Sequence, residues 1–232
     1  CEAALTMEGA AADLSLQVAG QDSGIHGVVR LSAPGGFVPL LLQALAAVHA
    51  EHPQLVFEVD ANQGLVNVVQ READIAIRMA PLNQPSLMVT RLGALPWGVF
   101  AAPAYLKRKP WSGEWQGHNV IAYEAPLDRS PGQRWLDAHA TDARVTLRTN
   151  NALAALQAAA AGLGLAVAPQ FFVQQFIPAP HALTCLTGAG IGTGVGESPV
   201  LLVTHPDVLR VPRVRATVDG LVRELRERGR LG

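Results

Sequence analysis

Between Gly27 and Arg78 the chain sets strand-like and helix-like runs in an order that leaves few folds open to it. Val28, Arg30 and Ser32 alternate with Val29, Leu31 and Ala33. Such period-two patterning with β-branched residues favours a strand. Pro34-Gly35-Gly36 stops that strand, and Phe37, Leu40, Leu41, Ala44, Leu45 and Val48 then recur at helical spacing as one apolar stripe. Pro53 ends the helix, because proline disfavours helical geometry in the residue before it. Leu55, Phe57 and Val59 alternate as a second strand. Glu72-Ala-Asp-Ile-Ala-Ile-Arg78 closes the series with a third, whose first residues include Asp74 as a structural cap on the preceding turn. Strand, helix, strand needs a crossover, so the strands are expected to pair in parallel within an α/β fold.

At 232 residues the chain can bury a sizeable core as one large domain or two small ones. It is 49% apolar and 16% charged, which excludes global disorder. A formal net charge of −1 argues against a broad nucleic-acid or acidic-membrane surface. Seven arginines do gather between Arg210 and Arg230, but Asp219, Glu224 and Glu227 interleave with them, as on a solvated helix face. Two cysteines, Cys1 and Cys185, make no disulfide framework, in keeping with a reducing cytoplasm. Ala152 to Pro169 is apolar, yet Gln157, Gly162 and Gly164 keep its runs far short of the ~20 residues a membrane span needs. A buried helix turning into a buried strand is expected there. No secretory signal is visible, and the chain opens without methionine, as a fragment or a processed product would.

Further along, residues 1–20 read as the end of a helix and 21–27 as a polar connector. Residues 91–106 form an extended apolar stretch, and 107–147 hold Trp111, Trp115, Trp135 and His118 in a weaker pattern. An alanine-rich helix follows Thr149-Asn150-Asn151 and ends near Gly162-Leu-Gly164, before the strand 165–169. Glycines alternate from 188 to 196 at a spacing that fits neither a dinucleotide fingerprint nor a P-loop, so a flexible loop or loosely formed edge segment is expected. Residues 200–204 read as a strand. Pro212 to Arg228 reads as an amphipathic helix with Val214, Val218, Leu221, Val222 and Leu225 on one face.

Three phrases, Glu51-His-Pro, Ala73-Asp-Ile-Ala-Ile-Arg78 and Ala102-Pro-Ala-Tyr-Leu106, together with the glycine-rich turn, resemble the effector-binding domain of LysR-type transcriptional regulators. The resemblance covers roughly residues 27–228. It implies two Rossmann-like lobes of the type 2 periplasmic-binding-protein fold, joined by two crossover strands, with a ligand cleft between them. Lobe I would comprise 27–93 and 200–232 and lobe II 94–199, with 1–26 as the end of a linker helix and its connector. The glycine run near 190 departs from the pattern and leaves the lobe II boundary open. The resemblance further implies a cytoplasmic sensor of a small effector, pairing as a homodimer or homotetramer without a membrane. DNA would be met only through a winged helix-turn-helix head, for which there is no room before Gly27. A solute-binding protein of a transporter, outside the cytoplasm, shares the fold, though the helical segment before Gly27 counts against it.

In such a fold, helix N-termini and strand C-termini face the ligand. Ser32, Ala33, Pro34, Gly35 and Gly36 leave backbone N–H groups approachable and add one hydroxyl, a setting that suits carboxylate or phosphate. Simple turn formation would use the same residues. Thr149, Asn150 and Asn151 can cap a helix or reach a ligand. Arg78, emerging after a strand, can fork onto an anionic effector or make a salt bridge. Asn62 and Gln63 are candidates for the same wall, and Tyr123, Pro169 and Gln170 for the facing one. No nucleophile elbow, zincin motif or paired-cysteine spacing occurs, so neither catalytic residues nor a metal or cofactor are expected.

Overall fold

A computed structural model describes residues 25–61, 73–80, 84–177, 183–186 and 194–227. The helix end expected at 1–20, most of the connector after it, Asn62, Gln63 and most of the glycine run at 187–196 lie outside these residues. The chain divides into two compact units, Cys1–Gly93 with Pro199–Gly232, and Ala94–Ser198. It passes from one unit to the other within two strands, β4 (Met88–Ala101) and β9 (Glu197–Thr204).

Unit 1 is built on β1 (Gly27–Ser32), β2 (Leu55–Asp60) and β3 (Ile75–Arg78). β1 lies between β2 and β3 and runs parallel to both, as the crossover argument requires, while β9 closes the sheet antiparallel to β3. The alternation in β1 has its expected cause: Val29 and Leu31 enter the core and Val28 and Arg30 face water. Asp74 does structural work at the head of β3, its carboxylate accepting from the Arg30 backbone N–H at 2.8 Å.

The Pro34-Gly-Gly turn first winds as a 3-10 turn, Gly35–Phe37, and only then as helix α1 (Val38–Glu51). α1 buries Leu40, Leu41, Ala44, Leu45 and Val48, each worth roughly 1.5–3 kcal/mol for the larger side chains. Helix α6 (Pro212–Val222) packs on α1 through Gly220. A Cβ at Gly220 would stand 2.5 Å from Val48 Cγ2, so only glycine permits this approach. The continuous amphipathic helix expected to Arg228 instead changes hydrogen-bond register after Val222 into a π-helical turn, Arg223–Glu227. That shift leaves Leu225 fully buried while Val222 is only half-buried.

Unit 2 contains β5 (Asn119–Tyr123), β6 (Arg144–Thr149), β7 (Leu165–Pro169) and the short β8 (Thr184–Cys185). β5 is parallel to β6 and β7, and β4 is antiparallel to β7 and β8. Its helices are α2 (Pro103–Arg108), α3 (Pro131–His139), α4 (Ala152–Ala160) and α5 (Gln170–Phe176). The phrase beginning at Ala102 therefore opens a helix rather than finishing a strand, with Pro103 in its first turn. α4 and β7 are the buried helix and buried strand that the apolar run predicts, all five residues of β7 being buried. Gly162, at φ +81°, turns the chain out of α4. Among the described residues no helix is long and apolar enough to cross a membrane.

Candidate functional site

In unit 1 the strand register sets Ser32 opposite Asp60 on β2 and opposite Ala76 on β3. Arg78 is the last residue of β3, so the carboxyl ends of all three strands share one edge. Ser32 has no exposed surface, and its hydroxyl accepts from Arg78 Nη1 at 3.3 Å. The same Nη1 donates to the Ile77 carbonyl at 2.8 Å, which bends the guanidinium back over the strand end. Burial pulls the Arg78 guanidinium below its ordinary value, and the neighbouring Asp60 carboxylate works against that shift.

The turn after β1 is half-buried and tightly bonded. Ala33 N–H donates to the Asp60 carbonyl at 3.0 Å, and Phe37 N–H to the Pro34 carbonyl at 2.8 Å. Gly35 and Gly36 lie inside the 3-10 turn, and a Cβ on Gly35 would stand 3.3 Å from the Ala61 carbonyl oxygen. Neither this turn nor α1 has a side-chain cap at its start. The N–H groups of Ala33, Phe37 and Val38 are thus already bonded and Pro34 and Pro39 have none, so Gly35 and Gly36 are the turn's N–H groups that could meet an anion.

In unit 2 the carboxyl ends of β5 and β6 bring Tyr123 and Thr149 into register. Asn151 caps α4 outright, its Oδ1 accepting from Leu153 N at 2.9 Å and Ala154 N at 3.1 Å. Thr149 Oγ1 accepts from Asn151 N at 3.2 Å, so both side chains serve the turn, while Asn150 between them is exposed. Tyr123 is buried. Its hydroxyl donates to the Val167 carbonyl at 2.8 Å, and burial pushes that phenol well up, keeping it a donor. Pro169 ends β7 and is buried, and Gln170, half-buried at the start of α5, reaches the Trp97 carbonyl with Nε2 at 3.5 Å.

Sequence reading missed three polar side chains at these strand ends. Asp60 is reached only through the register of β1 and β2. Gln133 is buried on α3, where Oε1 accepts from Tyr123 N at 2.6 Å and Nε2 donates to Asp137 at 2.7 Å. Ser198 is buried and accepts from Trp97 Nε1 at 2.9 Å. Pairing the ends of consecutive parallel strands on paper would have found Asp60; nothing local marks the other two. Among the described residues no group of His, Cys, Asp and Glu is placed to hold a metal ion.

Residues 22–226 match the family model of the LysR substrate binding domain. An HTH-type transcriptional regulator of Xanthomonas campestris pv. campestris is 27% identical over 213 residues, which cover 88% of this chain and 61% of that protein. The chain thus spans about three fifths of that relative's length. Among solved structures, the regulatory domain of CrgA, a LysR-type transcriptional regulator from Neisseria meningitidis, superposes with a TM-score of 0.72 at 23% identity, over 86% of this chain and 99% of that one. The Synechocystis PCC6803 CcmR regulatory domain in complex with 2-PG gives 0.71 at 19% identity, over 86% and 98%. At these identities the structural likeness concerns the fold.

Proposed function

The chain belongs to the LysR substrate-binding-domain family, and from that membership we propose that its Ser32–Arg78 strand edge binds the carboxylate or phosphate of a small effector. It is a ligand-sensing regulatory domain of a non-catalytic family. The observation that carries the choice of site is the Arg78 contact with the Ser32 hydroxyl, made on the residue that leads from β1 into the Gly35–Phe37 turn, which has no side-chain cap. A guanidinium already fixed by two bonds loses little further freedom on gripping an anion. CcmR, which shares the fold, was solved with a small ligand, and a small ligand is proposed here by analogy.

On this reading Gly35 and Gly36 of the turn supply N–H donors and Arg78 supplies charge. Thr149, Asn151, Tyr123 and Pro169 act through the turns and strands they hold. Ligand shifts the domain only as far as its affinities for alternative states differ. Paired copies would pass the shift in the cytoplasm to winged helix-turn-helix heads, which contact the DNA.

Calorimetry against a panel of small carboxylates and phosphates tests the site. Arg78→Ala is expected to weaken the best binder by roughly 1.5–3 kcal/mol, the scale of a charged hydrogen bond, with circular dichroism unchanged. Equal affinity in the folded variant would remove Arg78 from the site.

A further inference from the structure

Unit 2 also carries a layer of aromatic and imidazole side chains that effector binding at the Ser32–Arg78 edge does not use. Trp111 and Trp115 meet edge-to-face at 4.9 Å between ring centroids, and Trp115 and Trp135 at 5.5 Å. Trp111 lies 5.3 Å from His118, and Trp135 is stacked on His139 at 4.6 Å. Trp111 and Trp115 are half-buried on the segment 110–117, whereas Trp135 and His118 are buried. The segment is closed at its ends: Lys109 Nζ donates to the Gly117 carbonyl at 2.6 Å, and His118 N–H to the Trp115 carbonyl at 3.0 Å.

His118 is 5% exposed, and its Nδ1 lies 3.2 Å from the Tyr105 hydroxyl. That hydroxyl already accepts from the Asn119 backbone N–H at 2.8 Å. With the ring also hydrogen-bonded to the Pro110 backbone, we assign the Tyr105 proton to Nδ1, which makes His118 a neutral acceptor with its hydrogen on Nε2. Protonating Nδ1 would set two donors against each other and strand a hydroxyl proton in a buried place, since Tyr105 is also buried. Lys109 is the charged group acting on the ring. Of the other ionisable side chains on the flanking segments, Glu114, His139, Asp142 and Arg144 are exposed.

We propose that His118 is an acid-sensitive clasp: while neutral it holds the segment 110–117 against the rest of unit 2, and its protonation releases that segment. The domain would then have a second input, proton concentration, that does not pass through the effector edge. The electrostatics agree in sign. Burial first and Lys109 second push the imidazole below its ordinary value of 6.5, against a backbone hydrogen bond at Pro110. A group depressed in the folded state lends stability that is complete above its unfolded value of 6.5 and is lost as pH falls through the folded one.

The test follows tryptophan emission and amide exchange of residues 111–117 in the 232-residue chain, with exchange corrected for its intrinsic rate, from about pH 8 to about pH 5. The natural sequence is expected to show a reversible red shift and several-fold faster exchange at the acid end, confined to that segment. His118→Asn keeps an acceptor near the Nδ1 position but cannot be protonated, and should show neither change, while His139→Asn should show both. A transition that survives His118→Asn, or none in the natural sequence, overturns the proposal. Should His118→Asn fail to fold, Tyr105→Phe carries the test. Losing the hydroxyl frees the neutral ring from its donor and should move the midpoint up toward 6.5, and an unmoved midpoint overturns the proposal.

Discussion

Asp60 changes how the strand edge of unit 1 would work. Its carboxylate acts on the Arg78 guanidinium and raises it against the effect of burial, so an incoming anion must share that cation. Asp60→Asn keeps the shape and removes the competitor. Anion binding is expected to strengthen by about 1 kcal/mol, the size of a partly exposed charge pair, in the calorimetric panel that tests Arg78. Weaker or equal binding would mean that Asp60 orients Arg78 rather than competing for it. Asp74 is a different kind of carboxylate: it accepts from the Arg30 N–H and ties β3 to β1. Asp74→Ala should cost about 1 kcal/mol in urea unfolding and Asp74→Asn less, since the amide oxygen can still accept. A reversed order would put the electrostatics of the carboxylate ahead of its hydrogen bond.

Among the elements, α6 makes an unforgiving contact. Placing a methyl group on Gly220 drives it into Val48 Cγ2, and Gly220→Ala is expected to cost about 1–3 kcal/mol in thermal or urea unfolding. Adding Val48→Ala should recover part of that loss, which a double-mutant cycle reads directly. Strictly additive costs would show that α6 moves away instead. Most of this architecture was legible because periodicity is a local property: α1, α4, β1, β2 and β7 lie where their apolar spacing put them. What escaped depends on distant partners. The π-helical turn after Val222 keeps Leu225 buried as expected but leaves Val222, expected on the same face, half-buried, and no residue near it in sequence announces that shift. Asp60 joins Arg78 through strand register, and Gln133 meets Tyr123 from the next element. The capping role of Asn151 was the clearest of these features, since an asparagine before an alanine-rich run is already a cap by its chemistry.

For the molecule as a whole, the family match decides between the two readings the sequence left open, regulator and transporter-associated binding protein, in favour of the regulator. The two units also differ in how the chain supplies them. Unit 2 is one continuous stretch, whereas unit 1 draws on both ends of the chain. Its sheet is completed by Leu201–Thr204 of β9 pairing with β3, and its α1 is covered by α6. A chain ending at Ser198 therefore loses Leu202, Val203, Val214, Leu221 and Leu225 from the core of unit 1. It keeps the whole of unit 2, including the Trp97 bonds to Gly196 and Ser198. All four tryptophans of the sequence, Trp97, Trp111, Trp115 and Trp135, belong to unit 2, so their emission reports on that unit alone. The truncated chain is expected to lose helical circular dichroism beyond the share of the removed residues, together with anion binding at Arg78. Its emission should stay at the folded wavelength and unfold cooperatively in urea. Emission already shifted to that of the denatured chain would show instead that unit 2 cannot fold until both ends of the chain have closed unit 1.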